Sequence, residues 1–87
     1  MKFQIEAIFK ITNRGYFVTV ICLENDNTFE VTDKSKLGNI AIKPFLTQPR
    51  AIDENGNQRM DLFAFQLKND IDFEKLRAGE IVNLINE

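Results

Sequence analysis

The 87 residues include no histidine and a single cysteine, and these two shortages remove most site chemistry at once. Without histidine there is no Ser-His or Cys-His pair to activate a nucleophile, and no zinc-ligand spacing. The lone Cys22 cannot form an intramolecular disulfide, and its place in an apolar run predicts a buried, inert thiol. Glycine is sparse: Gly15, Gly38, Gly56 and Gly79 stand alone at turns. No Gly-rich phosphate loop follows a strand, so no nucleotide or other cofactor is expected, and GTP hydrolysis is excluded. Nor does any stretch approach the about 18 consecutive apolar residues of a membrane helix. Glu6 and Lys10 interrupt what would have to be the apolar region of a signal peptide, so the expected location is the cytoplasm, without a membrane partner.

A strong charge of one sign is also missing, since the net charge is only −2. Residues 1–50 carry seven Lys or Arg against five Asp or Glu, whereas residues 51–87 carry four against eight. A barrel interleaves the two parts in space, so a mixed, solvated surface is expected rather than a strongly basic nucleic-acid binder. Carboxylates cluster at Asp53 with Glu54 and at Asp70, Asp72 and Glu74. The first pair lies beside a turn and the second group at a helix start, where acidic groups serve capping and solvation, so no catalytic role is assigned to them.

What the chain does have is apolar side chains in β-type order. Phe, Ile, Leu and Val supply 29 residues, each worth roughly 1.5–3 kcal/mol when fully buried, enough for one core without staples. One domain spanning residues 1–87 follows from the length. Phe3, Ile5, Ala7, Phe9 and Ile11 alternate with Lys2, Gln4, Glu6 and Lys10, as in a half-buried strand, and only Ile8 breaks the period. Thr12 to Gly15 form a turn in which Asn13 and Gly15 most readily take positive φ. Tyr16 to Leu23 is the second strand, and Thr28 to Thr32 reads as a third, returning strand after the turn at 25–27. Asp33 to Lys36 reads as a polar loop ending near Gly38. Asn39 to Phe45 can make a fourth strand if Pro44 sits at an edge or bulge. Asn55-Gly56 predicts a hairpin pairing 51–53 with 58–68, Asp72 to Leu76 a short helical turn stopped by Gly79, and Glu80 to Ile85 a closing strand.

The opening stretch resembles the start of the β-barrel second domain of translational GTPases of the elongation factor Tu type, whose pattern is roughly I-E-D-V-F-x-I-x-G-R-G-x-V-V-T-G. Ile5, Glu6, Ile8, Phe9, Ile11, Arg14, Gly15, Val18 and Thr19 fall on matching positions without a gap, while Asn13 and Val20 stand where that family has glycine. Leu76 to Ile85, with Arg77-Ala78-Gly79-Glu80, resembles the same family's R-A-G-E-N-V-x-V-L-L closing strand. The resemblance implies an all-β fold: a small, six-stranded, translation-factor-like β-barrel with one short helix. It also implies where such a barrel would hold the aminoacyl end of tRNA, through a Glu-x-x-Arg and an Asn. Those positions fall near Leu67 and Asp70 and at Ile81, so that pocket does not carry over.

Two strands are apolar on both faces. Tyr16, Val18, Val20 and Cys22 oppose Phe17, Thr19, Ile21 and Leu23; Phe63, Phe65 and Leu67 oppose Met60, Leu62 and Ala64. A small closed barrel has only one inside, so either loops cover the second face or it docks a partner. Candidate binding residues are therefore Phe63 and Phe65, with Arg14, Tyr16, Phe17, Lys34 and Lys36 able to contact RNA by charge and stacking. Two functions follow. One is a non-catalytic module, inhibitory, immunity-type or regulatory, that binds a protein partner or forms a homodimer. The alternative is an RNA- or ribosome-associated accessory factor. From the missing phosphate loop and from Ile81 in place of the amide, purified protein is expected neither to hydrolyse GTP nor to retain charged over uncharged tRNA at physiological salt; preferential retention of charged tRNA in a filter-binding assay would overturn the pocket assignment.

Overall fold

Asn13, at φ 67°, and Gly15, at φ 107°, turn the chain between its first two strands, and the Arg14 N–H closes the turn on the Ile11 carbonyl at 2.9 Å. The structure is a computed structural model that describes residues 1–24, 29–47, 54–57 and 60–86, with 45 and 46 described by their backbone alone. The strands are β1 (Lys2–Ile11), β2 (Gly15–Cys22), β3 (Lys36–Leu37), β4 (Ile40–Thr47), β5 (Leu62–Leu67) and β6 (Ile81–Ile85). A 3-10 helix, Asp70–Lys75, lies between β5 and β6. All pairings are antiparallel, and the order β1-β2-β5-β4-β3-β6 closes into a barrel. The expected all-β, six-stranded barrel with one short helix is thus the fold.

Alternation along each strand sends one row of side chains inward. Phe3 and Ile5 of β1, Val18, Val20 and Cys22 of β2, Leu37, Ile40, Ile42, Phe63, Phe65 and Leu67 form the buried interior. Phe3 lies at the centre of edge-to-face contacts, with ring centroids 5.3 Å from Phe29, 6.3 Å from Phe63 and 6.0 Å from Phe65. Such pairs add about 0.5–1.5 kcal/mol each beyond the area they bury.

Several expected boundaries move, each for a physical reason. Phe29 to Thr32, the described part of the expected third strand, forms no ladder. Two of its backbone groups pair with side chains instead: the Asn86 amide donates to the Glu30 carbonyl at 3.0 Å and Thr32 N–H donates to the Ser35 hydroxyl at 2.7 Å. That frees Phe29 and Val31 to pack against the core. The third strand is instead Lys36–Leu37, inside the expected polar loop. β4 carries Pro44 where its register against β5 shifts between Ile42 and Leu46, the bulge that a residue without an N–H requires. The 3-10 helix begins two residues before the expected turn. Glu54 to Asn57 form the predicted turn, with Gly56 at φ 82°, whereas 51–53 and 58–59 lie outside the described residues.

The 3-10 helix also holds the first hairpin. The Asp70 carboxylate accepts the Tyr16 N–H at 3.3 Å instead of capping its own turn. A Cβ on Gly15 would lie 2.8 Å from that carboxylate oxygen, so a side chain there would push Asp70 off the Tyr16 N–H in addition to straining the positive φ. Gly56 has positive φ with nothing within 4 Å of the same point. Gly15→Ala should therefore cost about 1 kcal/mol more than Gly56→Ala, roughly the worth of the Tyr16 bond that Asp70 must release. Urea unfolding of the two variants measures the difference, and equal losses would show that the contact is slack.

Candidate functional site

β1 reverses its facing part-way along. Ile5 stands opposite Val20 and Ala7 opposite Thr19, so Glu6 is one residue too many and forms a bulge. Beyond it the phase flips: Ile8, opposite buried Val18, packs against the core, and Phe9, opposite Phe17, turns outward. The sequence expectation that Phe9 and Ile11 share the inward face of Phe3 and Ile5 is corrected by that single extra residue. Phe9 is 39% exposed and Ile11 37%. The Phe9 and Phe17 rings stack with centroids 5.9 Å apart and planes 15° from parallel.

The other face of the hairpin is clamped to the barrel. Tyr16 stacks on Phe73 of the 3-10 helix at 4.3 Å and 3°. The Lys10 ammonium lies 5.9 Å above the Tyr16 ring, within cation–π reach, and the Gln66 amide donates to the Arg14 carbonyl. These contacts hold the hairpin from beneath, while Phe9 and Ile11 on its outer face stand exposed.

One edge of this hairpin has no strand beside it among the described residues. β6 pairs with β1 only at Lys2, Phe3 and Gln4, and the last bonds on that side join Ile5 to Gly79 and Glu80, at 2.7 and 2.8 Å. Past Ile5, no described strand pairs with this edge. Tyr16 sends its N–H away from β1, to Asp70, so Lys10 and Tyr16 are a non-hydrogen-bonded pair, as are Ile8 and Val18 two positions along. The N–H and C=O groups of Ile8 and Lys10 therefore face outward from the edge.

The residues proposed from sequence separate. Arg14 is exposed on the hairpin turn, Tyr16 is half-buried against Phe73, and Phe17 is half-buried on the outer face. Lys34 is exposed in the loop before β3, and Lys36 lies on β3, three strands away from β2 in either direction around the barrel. The basic residues thus do not converge. Phe63 and Phe65, proposed as a binding surface, point into the barrel at 6% and 0% exposure and leave the set. Leu62 and Ala64 on the opposite face of β5 are buried as well, so the second apolar face of that strand is covered at these positions, while Met60 is exposed. Phe9 and Ile11 were missed, and the neighbouring pair Ile8-Phe9 was the available signal, because two adjacent large apolar residues in an alternating strand mark a phase change.

Elsewhere, a groove of about 410 Å³ lies between the β3–β4 turn, β6 and the end of the 3-10 helix. Its polar lining is Asn39, Asn83, Lys75 and Glu80, with no Ser, Thr, Cys or His, and Lys75 is paired with Asp72 at 3.2 Å. Among the described residues no group of three or more acidic or Cys side chains is placed to hold a metal ion, and no helix is long and apolar enough to cross a membrane. Comparison with protein-family models, curated proteins and solved structures finds no match for this chain.

The division between core and surface phenylalanines is measurable. Phe65→Ala should cost about 3–5 kcal/mol by leaving a cavity under Phe3 and Phe29. Phe9→Ala should cost about 1 kcal/mol or less, because only the stack on Phe17 is lost. Chemical denaturation of both variants checks the pair, and comparable losses would place Phe9 in the core.

Proposed function

We propose that the protein is a non-catalytic binding module, in an inhibitory, immunity-type or regulatory role, that uses a translation-factor-type barrel to bind a protein partner or a second copy of itself. The observation that carries this reading is the apolar outer surface of the first hairpin, where Phe9 and Ile11 stand exposed beside the half-buried Phe17 on a support clamped from below. Exposed apolar groups gathered on a rigid element are what a partner's surface would bury. The two stretches that resemble the second domain of translational GTPases lie side by side, since β1 pairs with β6, which agrees with a barrel of that type. A cytoplasmic setting suits the unpaired, buried Cys22 thiol.

The alternative, an RNA- or ribosome-associated accessory factor, is favoured by one feature: Arg14 on the turn that follows the strand carrying Phe9 and precedes the one carrying Phe17, a charge beside a stacking surface. The dispersal of Lys34 and Lys36 to other elements and the net charge of −2 weigh against it.

Phe9→Lys separates the two. In the binding-module reading, wild-type protein elutes in light scattering above its monomer mass, alone or with a protein retained from the lysate of its own cells. Phe9→Lys then loses the associated species and keeps its melting temperature. RNA retention that Phe9→Lys strengthens, and that weakens as salt rises, would favour the accessory factor instead.

A further inference from the structure

We propose that the open edge of β1 pairs with the same edge of a second copy, antiparallel and centred on Phe9, to join two hairpins into one continuous four-stranded sheet. The inference rests on the binding-module reading and names its partner. Among the described residues no strand pairs with the edge over Ala7 to Ile11, five residues with Phe9 in the middle. Its outward N–H and C=O groups belong to Ile8 and Lys10, one residue to each side of that centre. A two-fold axis at Phe9 sets Ile8 against Lys10 of the second copy and Lys10 against Ile8 of the second copy, which matches every outward donor with an acceptor. Any shift by one residue sets outward groups against inward ones.

Charge selects the same direction. Exposed Glu6 and Glu80 stand at the Ile5 end of the edge, and exposed Lys10 and Arg14 at the turn end. Antiparallel pairing places the acidic end of one copy beside the basic end of the other, whereas parallel pairing sets like against like. Lys10, the kind of residue that ordinarily protects an edge, has its ammonium drawn over the Tyr16 ring and away from the outer face. On that outer face the pairing sets Phe9 of one copy directly beside Phe9 of the other, each backed by its own Phe17 ring, so the aromatic side chains shield one another along the seam.

Cysteine cross-linking reads the register directly. In a Cys22→Ser background, Phe9→Cys places the two sulfur-bearing residues in a non-hydrogen-bonded pair with Cα atoms about 4.5 Å apart, inside the about 4.4–6.8 Å that a disulfide spans. Phe9→Cys should cross-link to itself under mild oxidation. Ala7→Cys should not, but should cross-link when mixed with Ile11→Cys, the residue it faces. Sedimentation should show a dimer for the unmodified chain, weakened at least about tenfold by Phe9→Lys, which sets two like charges on the axis. Ala7→Cys linking to itself as fast as Phe9→Cys overturns the register. A dimer that survives Phe9→Lys while Phe9→Cys fails to link overturns the edge pairing and leaves self-binding by another surface. A chain that stays monomeric at the highest attainable concentration, with Phe9→Cys linking no faster than Cys at the 71% exposed Ile71, overturns self-association but not binding to a different protein.

Discussion

Residues 5–7 of β1 oppose only Val20 and Thr19 of β2, and the surplus residue, Glu6, governs which side chains the first hairpin shows to solvent. Before it, β1 belongs to the barrel wall, with Phe3 and Ile5 buried and β6 on its other side. After it, the strand no longer faces the core with the same residues, and Ile8 takes the inward place while Phe9 and Ile11 turn out. Without the bulge, Phe9 and Ile11 would lie inward and Ile8 with Lys10 outward, the ordinary arrangement of a half-buried strand. The bulge therefore exchanges an outer face carrying Ile8 and Lys10 for one carrying Phe9 and Ile11, at the cost of one irregular pair.

An overhanging hairpin has to be supported, and the 3-10 helix supplies the support. Tyr16 is the shared element: its ring stacks on Phe73 and takes the Lys10 ammonium, while its N–H goes to Asp70. Gly15 allows this approach because any side chain there would meet the Asp70 carboxylate. The same hydrogen bond fixes the polarity of the ladder, since a Tyr16 N–H given to Asp70 cannot be given to β1. One contact thus both anchors the hairpin and leaves the N–H and C=O groups of Lys10, across from it, turned outward.

Features that depend on a single residue were legible in the sequence. Asn13 takes positive φ because its short polar side chain tolerates it and Gly15 because it has no Cβ, and Pro44 forces a bulge because it lacks an N–H. β2, β5 and β6 were also within reach, as apolar strands between clear breaks. Features that depend on a remote neighbour were not. β3 is only two residues long and is a strand because β4 and β6 flank it, which nothing in Lys36-Leu37 announces. Phe29 to Thr32 reads as a strand by composition, yet Ser35 and Asn86 pair with two of its backbone groups, and Asn86 is more than fifty residues away. The inward facing of Phe63 and Phe65 follows from barrel closure, and the outward facing of Phe9 follows from a register that exists only once β2 is in place.

Among the described residues, every buried side-chain nitrogen or oxygen has a hydrogen-bond partner. Ser35, fully buried, donates to the Asn86 side chain, and the Asp72 carboxylate is met by Lys75. Leaving a buried polar group unpaired costs about 1–3 kcal/mol, and a site that binds or transforms a small molecule commonly bears that cost so that the ligand can supply the missing partner. No described side chain in the interior is held in that condition. Among the described residues, the backbone groups of Ile8 and Lys10 have no strand beside them, and they lie at the surface next to the exposed Phe9 and Ile11 rather than within the 410 Å³ groove. A strand edge with an apolar face beside it offers main-chain hydrogen bonds together with a surface to bury, and the complement to that combination is another extended chain.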